Sequence, residues 1–413
     1  MLEILTIGTE LLLGSTLDTN SAWLGERLSA AGIRVTRRTT VADDAEAIRD
    51  ALRAALGRTR LVICTGGLGP TPDDFTKPVV AGLYGRTLRL DEPWLAEVER
   101  RWRDRGIEMP ALNRNQAEVP EGALLLPNAR GTAPGLVLED AALGTTILLP
   151  GVPSEMRGLV ELEVLPLLRA RLGTLRPIRS RFIRTTGIAE SAIAERLAGI
   201  EARIAPLTLA WLPTGLGEDV RVTCWGEVPD DEAERILDAA AGEISARLSP
   251  WVYGHARDDL AAVVGMELQG RSLTLGIAES CTGGLLADRI TAVPGSSGYF
   301  KGAIVSYADD AKARLLGVPP ETLAAHGAVS EATSLAMARG ARTALAADCA
   351  LAVTGIAGPA GGSPQKPVGT VWIACAVGNE VSARRYHFAG DRIEIRARAA
   401  QAALALLLHR LRD

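Results

Sequence analysis

The sequence predicts an α/β protein, on three observations. Short apolar runs of strand length alternate with helical stretches of about 10–15 residues. Several of these runs end in glycine-rich loops, at 8–14, 66–69, 276–284 and 355–369. Polar residues capable of chemistry stand in or beside those loops, or at or just after the ends of other runs. In an open sheet of this kind, ligands sit outside the carboxyl ends of the strands.

Residues 2–8 read as the first strand, 20–31 as a helix, 33–38 as a strand and 60–65 as a third. Between the last two, Asp43 or Asp44 caps a helix that runs to Leu56. Alternation of this kind implies a parallel sheet with helices on both faces. A helix at 94–105 and a strand at 145–149 follow. The turn-rich stretch Gly173-Thr174-Leu175-Arg176-Pro177 marks a boundary, so that 1–172 forms a first domain.

From 173 to 253 the order is strand, helix (189–197), two strands (207–212, 220–225), a long helix (230–247) and a short strand at 251–253. This small α+β module resembles a KH fold. It lacks a Gly-x-x-Gly loop with basic flanks, so a spacer or dimerisation role is expected, not RNA binding. A second turn-rich stretch, 254–259, should let few core contacts cross. Residues 254–413 then form a third domain, with strands at 273–277, 302–307, 348–353, 370–377 and 385–388. Helices are expected at 258–269, from near Asp309, after Ser330 as N-cap, and at 393–411.

Composition excludes several classes. A chain of 413 residues, 47% hydrophobic with net charge −4, has the profile of an ordinary globular protein. That charge gives no basic surface for direct nucleic-acid contact. Met1-Leu2-Glu3 runs straight into a strand, and no run of about 18 apolar residues occurs, so no membrane span and a cytoplasmic location are expected. Five scattered cysteines suit reduced thiols, and with no Cys-x-x-Cys a structural zinc site is not expected.

Ser280 is placed at a strand-to-helix turn by Gly276-Ile277-Ala278-Glu279-Ser280-Cys281-Thr282-Gly283-Gly284. A hydroxyl there can attack a carbonyl while free N–H groups of the new helix hold the developing oxyanion. The same residues also fit a plain cap, with Ser280 or Thr282 bonding the helix start. Tyr307, Lys312 and Thr354 fall at or just after other strand ends, where an open sheet brings distant residues together. No histidine lies near the motifs except His326, so a Ser-His-Asp set is not supplied. Lys312 is the candidate base; with a free pKa of about 10.4 it must lose solvation or meet another cation to start neutral. In the first domain, Gly66-Gly67-Leu68-Gly69-Pro70-Thr71-Pro72-Asp73-Asp74 brings backbone N–H groups toward a phosphate. Paired carboxylates at a helix start there can hold a divalent cation, or simply cap the helix.

These motifs carry a resemblance. Ala278-Glu279-Ser280-Cys281-Thr282-Gly283-Gly284, Tyr307 with Lys312, Gly327-Ala328-Val329-Ser330-Glu331, Val353-Thr354-Gly355-Ile356-Ala357-Gly358-Pro359 and Lys366-Pro367-Val368-Gly369-Thr370 resemble the nicotinamide-nucleotide deamidase domain of the CinA (competence/damage-inducible) family. Gly8-Thr9-Glu10-Leu11-Leu12-Leu13-Gly14, Asp18-Thr19-Asn20 and the 66–74 loop resemble that family's molybdopterin-binding-like amino-terminal domain. The resemblance implies two activities. The carboxyl-terminal domain would hydrolyse nicotinamide mononucleotide to nicotinate mononucleotide and ammonia without a cofactor. Ser280 would be its nucleophile and Lys312 its base, with Tyr307 and Thr354 orienting or polarising the substrate. Thr282, Gly283, Ser297, Gly355, Gly358 and Arg396, the last in competition with Arg392 and Arg398, would bind substrate and its phosphate. The amino-terminal domain would be an ADP-ribose pyrophosphatase, with Asn20, Gly66, Gly67 and Thr71 on the substrate. Asp73 and Asp74 would hold Mg²⁺, Mn²⁺ or Co²⁺. A homodimer is implied as well. The alternatives are an amino-terminal domain that only binds a pterin or nucleotide, and a scaffold in competence or DNA repair.

Overall fold

Four parallel strands form the floor of the amino-terminal part in the computed structural model of the protein, which describes residues 1–173 and 175–413. Their order is Val35–Val41, Leu2–Ile7, Leu61–Thr65, Gly144–Leu149. Alternate residues face opposite ways along a strand, and the core divides accordingly. Ile4, Ile63 and Ile147 pack with Leu24 and Leu28 of the helix Thr19–Ala30. Leu5, Val62 and Leu148 pack with Ile48, Leu52 and Leu56 of the helix Ala45–Thr59. Helices therefore cover both faces, which is why Leu2–Ile7 is buried throughout. Its one carboxylate, Glu3, is held by Arg58 through two 2.8 Å hydrogen bonds.

The sheet is not wholly parallel, contrary to the expectation. Gly135–Asp140 lies antiparallel to Gly144–Leu149, and Leu124–Leu126 lies antiparallel to Gly135–Asp140. The first pair is a hairpin, and a turn that short can join only antiparallel strands. The three-residue Leu124–Leu126 is too brief to show a period. Of the predicted boundary at 173–177, Thr174 lies outside the described residues.

The chain forms two compact units, Met1–Arg179 with Cys224–Glu234, and Ser180–Thr223 with Arg235–Asp413. The middle module is a four-stranded sheet ordered Thr208–Pro213, Glu218–Cys224, Arg179–Thr185, Val252–His255. Its helices are Glu190–Arg196, Ile200–Ile204 and Asp230–Leu248. The prediction that few core contacts cross 254–259 is corrected within the second unit. Tyr253 is buried in one cluster with Leu260, Val264 and Leu404. Arg184 NH1 donates to the Asp258 carbonyl at 3.0 Å, and Arg412 NH1 to that of Val252 at 3.2 Å. Turn residues set the path of the chain there, but apolar side chains on either side still meet.

The third sheet is ordered Phe300–Val305, Leu275–Glu279, Cys349–Gly355, Thr370–Val377, Glu380–His387. The first three strands are parallel and the last two antiparallel. Large residues (Ile277, Leu351, Val353, Ile373) meet the terminal helix Arg392–Arg412 on one face. Alanines 278, 350, 352, 374 and 376 meet the helix Glu331–Ala344 on the other. The last strand is longer than the predicted 385–388, because Glu380 pairs with Val377 across a two-residue turn at Gly378 and Asn379. Gly378 has φ 55°, which suits such a hairpin turn. Among the described residues no helix is long and apolar enough to cross a membrane.

Candidate functional site

Ser280 follows directly on the carboxyl end of Leu275–Glu279, and its N–H donates to the Val353 carbonyl at 2.9 Å. Gly283 (φ 59°) and Gly284 (φ 98°) then turn the chain into the helix Leu285–Thr291. The first N–H groups of that helix are not free, which corrects the oxyanion expectation. Glu279, completely buried, accepts from Gly284 N at 2.9 Å, Leu286 N at 3.1 Å and Ala287 N at 2.9 Å. Neither Ser280 nor Thr282 caps the helix either; Glu279 does that from the strand end. Glu279→Ala leaves those donors without a partner in the interior, a cost of about 3–5 kcal/mol. A urea unfolding midpoint equal to that of the parent would rule out this role.

Ser280, Tyr307, Lys312, Thr354 and Gly355 line one cavity of about 190 Å³. The sheet thus brings together all four residues expected to carry chemistry. Lys312, on the helix Asp309–Leu316, is 1% exposed. Its Nζ donates to the Tyr307 carbonyl at 3.1 Å and lies 3.5 Å from Asp309 Oδ1. Its charged neighbour is therefore an anion, not the second cation considered from the sequence. Thr354 Oγ1 donates to the Ala328 carbonyl at 2.8 Å. Tyr307 is exposed, and its hydroxyl accepts from Arg392 NH2 at 2.9 Å. Burial pushes the neighbouring Cys281 thiol up to about 12, so it stays protonated near neutrality. Ser330 is an N-cap, accepting from Thr333 N at 3.2 Å.

The expected phosphate ligands fare unevenly. Ser297 belongs to a short helical turn, Ser296–Gly298, that precedes the strand Phe300–Val305. That strand runs parallel to Leu275–Glu279, so Ser297 stands at the amino edge of the sheet, the opposite edge from Ser280. Six residues of strand separate the two edges by roughly 20 Å. Arg396 is committed to the Thr282 carbonyl, at 3.2 Å from Nε and 2.7 Å from NH2. Arg392 lines the cavity instead, and its NH1 donates to the Gly358 carbonyl at 2.8 Å. Three arginines within one helical run look alike in sequence; their position along the helix relative to the cavity decides which reaches it. Thr282 is fully buried and its Oγ1 has no partner, while Gly283 serves the turn.

In the amino-terminal unit a smaller cavity, about 130 Å³, lies at the strand ends, lined by Thr6, Glu10, Asp18, Asn20, Thr65 and Gly151 among others. Asn20 Nδ2 donates to the Gly151 carbonyl at 2.7 Å, and its buried Oδ1 has no partner. Gly66 (φ 112°) and Gly67 (φ 64°) admit no side chain: a Cβ would lie 2.1 Å from the Ile7 carbonyl oxygen and 2.1 Å from Thr76 Oγ1. Asp74 staples the loop, accepting from Gly69 N (2.8 Å), Thr71 N (2.9 Å) and Thr71 Oγ1 (2.6 Å). It is not a helix cap, since the helix Thr76–Leu83 begins after Phe75 with no side-chain cap. Asp73 is exposed, its carboxyl held below the usual range chiefly by a hydrogen bond with Thr71. Among the described residues no three His, Cys, Asp or Glu side chains are grouped to hold a metal. Asp73 and Asp74 therefore do not fit a preassembled divalent site, because Asp74 already spends its oxygens on the loop.

Lys77 was not singled out in the sequence, though a lone lysine in the apolar helix Thr76–Leu83 was the available signal. It is 5% exposed, and its Nζ donates to the Asn115 carbonyl beneath the same loop. Burial lowers its pKa from 10.5 to about 8, against the carboxylates of Glu118 and Asp74. Between those values the unfolded chain holds a proton that the folded chain does not, so this residue's contribution to stability rises with pH. Relative to Lys77→Met, the parent should gain on the order of 1–3 kcal/mol from pH 7.5 to 10. Parallel urea midpoints across that range would contradict it.

Comparison with known proteins gives a consistent picture. A family described as CinA C-terminal domain matches residues 257–411. Damage-inducible protein CinA KH domain matches 180–254, and Probable molybdopterin binding domain matches 3–170. The chain is 50% identical to a CinA-like protein of Gemmatimonas aurantiaca over 405 residues, 98% of this chain and 94% of that one. It is 45% identical to a CinA-like protein of Frankia casuarinae over 417 residues, covering 98% and 95%. Among solved structures it is similar to the competence/damage inducible protein CihA of Agrobacterium tumefaciens. That match has 42% identity, 37% of this chain, 94% of that chain and a TM-score of 0.36.

Proposed function

We propose, on the premise that the chain belongs to the CinA family over its whole length, that its carboxyl-terminal domain is a nicotinamide-nucleotide amidohydrolase. The observation that supports this most is the lining of one cavity by Ser280, Lys312, Tyr307 and Thr354. Ser280 Oγ attacks the carboxamide carbon of nicotinamide mononucleotide while the Lys312 amine takes the hydroxyl proton. Lys312 returns that proton to the departing nitrogen as the C–N bond breaks and ammonia leaves. Water, deprotonated by the same amine, then releases nicotinate mononucleotide and restores Ser280. Tyr307 and Arg392 stand at the exposed side, where they suit the ribose phosphate, with Gly355 and Gly358 in the adjoining loop. Incubation of the purified protein with nicotinamide mononucleotide should yield ammonia and nicotinate mononucleotide in equal amounts. Absence of both products defeats the reading.

For the amino-terminal domain the reading is cleavage of ADP-ribose to AMP and ribose 5-phosphate. The buried, partnerless Oδ1 atom of Asn20 at the strand-end cavity favours a polar ligand there. The Asp74 oxygens are already taken up by Gly69 and Thr71 of the loop. Metal dependence is measured as AMP release with Mg²⁺, Mn²⁺ or Co²⁺ and with a chelator. Loss of the staple in Asp74→Asn should lower AMP release at least about tenfold while ammonia release persists. Tight binding of ADP-ribose or a pterin with no turnover under any metal would favour a binding domain. The reading includes a homodimer, tested by sedimentation, and cytoplasmic residence.

A further inference from the structure

A second cavity of the second unit, about 960 Å³, shares no lining residue with the Ser280 cavity. It lies between loops of the middle module and the exposed side of the terminal helix and last strand. Its size is at the upper end for small-molecule sites.

Its lining has three parts. On the last strand, Tyr386 and Phe388 stack with ring centroids 5.5 Å apart and planes at 11°, and both face the cavity. Arg384 and Arg398 line it too, the latter with NH1 on the Ala389 carbonyl at 2.7 Å. The middle module contributes Glu218, which is 6% exposed.

One oxygen of the Glu218 side chain is left unused in the free fold. Its backbone carbonyl accepts from Thr185 Oγ1, but its buried Oε1 has no hydrogen-bond partner. A buried carboxylate oxygen without a donor destabilises the protein that carries it. Burial, with the carboxylates of Glu190 and Asp219, also pushes this carboxyl up. A ligand with an N–H to offer removes that cost. Flat aromatic faces suit a heteroaromatic ring, and guanidinium groups suit a phosphate.

We propose that this cavity binds a nucleotide whose base carries an exocyclic amino group. The base rests against Tyr386 and Phe388, the amino group donates to Glu218 Oε1, and the phosphate meets Arg384 and Arg398. This site is separate from both proposed activities and does not depend on them.

The test is calorimetric titration of the full-length protein with AMP, IMP and inorganic phosphate. An Asn20→Ala background keeps AMP at the amino-terminal cavity from contributing. AMP should bind with Kd below about 1 mM, and IMP, which presents an oxygen where AMP presents the amino group, at least tenfold more weakly. Phosphate alone should give no measurable heat. Glu218→Met should weaken AMP at least about tenfold and raise the Tm of the free protein, since it removes an unpaired buried carboxylate. Tyr386→Ala should weaken AMP without that stabilisation. AMP affinity unchanged in both variants, IMP or phosphate binding as tightly as AMP, or no AMP binding at about 5 mM each overturns the proposal.

Discussion

Ser280→Ala should lower ammonia release from nicotinamide mononucleotide by at least about 10³-fold, while Cys281→Ala retains most of it. The contrast is a demanding one, because the two residues are adjacent and a thiolate is the stronger nucleophile. Two features separate them. The Cys281 thiol is pushed up to about 12 by its burial, so the thiolate is scarce at neutral pH. Ser280 needs no prior ionisation if a base takes its proton during attack, and Lys312 lines the same cavity. The serine turn is also held independently of the serine, by the three hydrogen bonds of Glu279. Ser280→Ala should therefore fold like the parent, with an unchanged Tm, and lose only the chemistry. An inactive Cys281→Ala with an active Ser280→Ala reverses the assignment. Inactivation by a thiol reagent that spares only the Cys281 variant does so too.

Strand ends were the legible part of this molecule. Ser280, Tyr307, Lys312 and Thr354 come from three separate stretches, yet the parallel strands Leu275–Glu279, Phe300–Val305 and Cys349–Gly355 all end at one edge. Any residue placed just after such a run must fall near the others, and periodicity alone locates the run. Ser297 shows the converse: it precedes its strand, and so it lies at the wrong edge. What periodicity does not carry is how far along a helix a side chain stands from the site. Arg392 and Arg396 differ by one helical turn, yet one donates to Tyr307 OH and the other to the Thr282 carbonyl. Nor does it reveal who satisfies a helix start. Ser280, Thr282, Asp73 and Asp74 all had the composition of caps, but Glu279 reaches its donors from inside a strand. Asp74 binds a loop ahead of its helix. Two antiparallel strands escaped, one wholly and one in part, for another reason. Gly135–Asp140 and Glu380–His387 include glycine or several charged residues, so their pairing is decided by hairpin turns and neighbours, not by an apolar run.

Lys312→Arg should be nearly as inactive as Lys312→Met, each with kcat reduced by at least about 10²–10⁴-fold. Arginine keeps the positive charge but does not give up its proton, so the pair of variants distinguishes proton transfer from charge. The surroundings of Lys312 sharpen the comparison. Its side chain is 1% exposed, and its Nζ has the Tyr307 carbonyl at 3.1 Å as its nearest acceptor. Asp309, the anion at 3.5 Å, is 60% exposed in its side chain, so water screens much of that attraction. An amine that served only to anchor an anion would be replaceable there by a guanidinium, at the cost of some repacking and a higher KM. A base would not be replaceable, and kcat would fall while KM changed little. Asp309→Asn provides the internal control, since it alters the charge beside Lys312 but leaves the amine. It should keep kcat within about tenfold of the parent. If Lys312→Arg retains kcat to the same extent as Asp309→Asn, Lys312 is an anion clamp, and the group that deprotonates Ser280 lies elsewhere in the cavity.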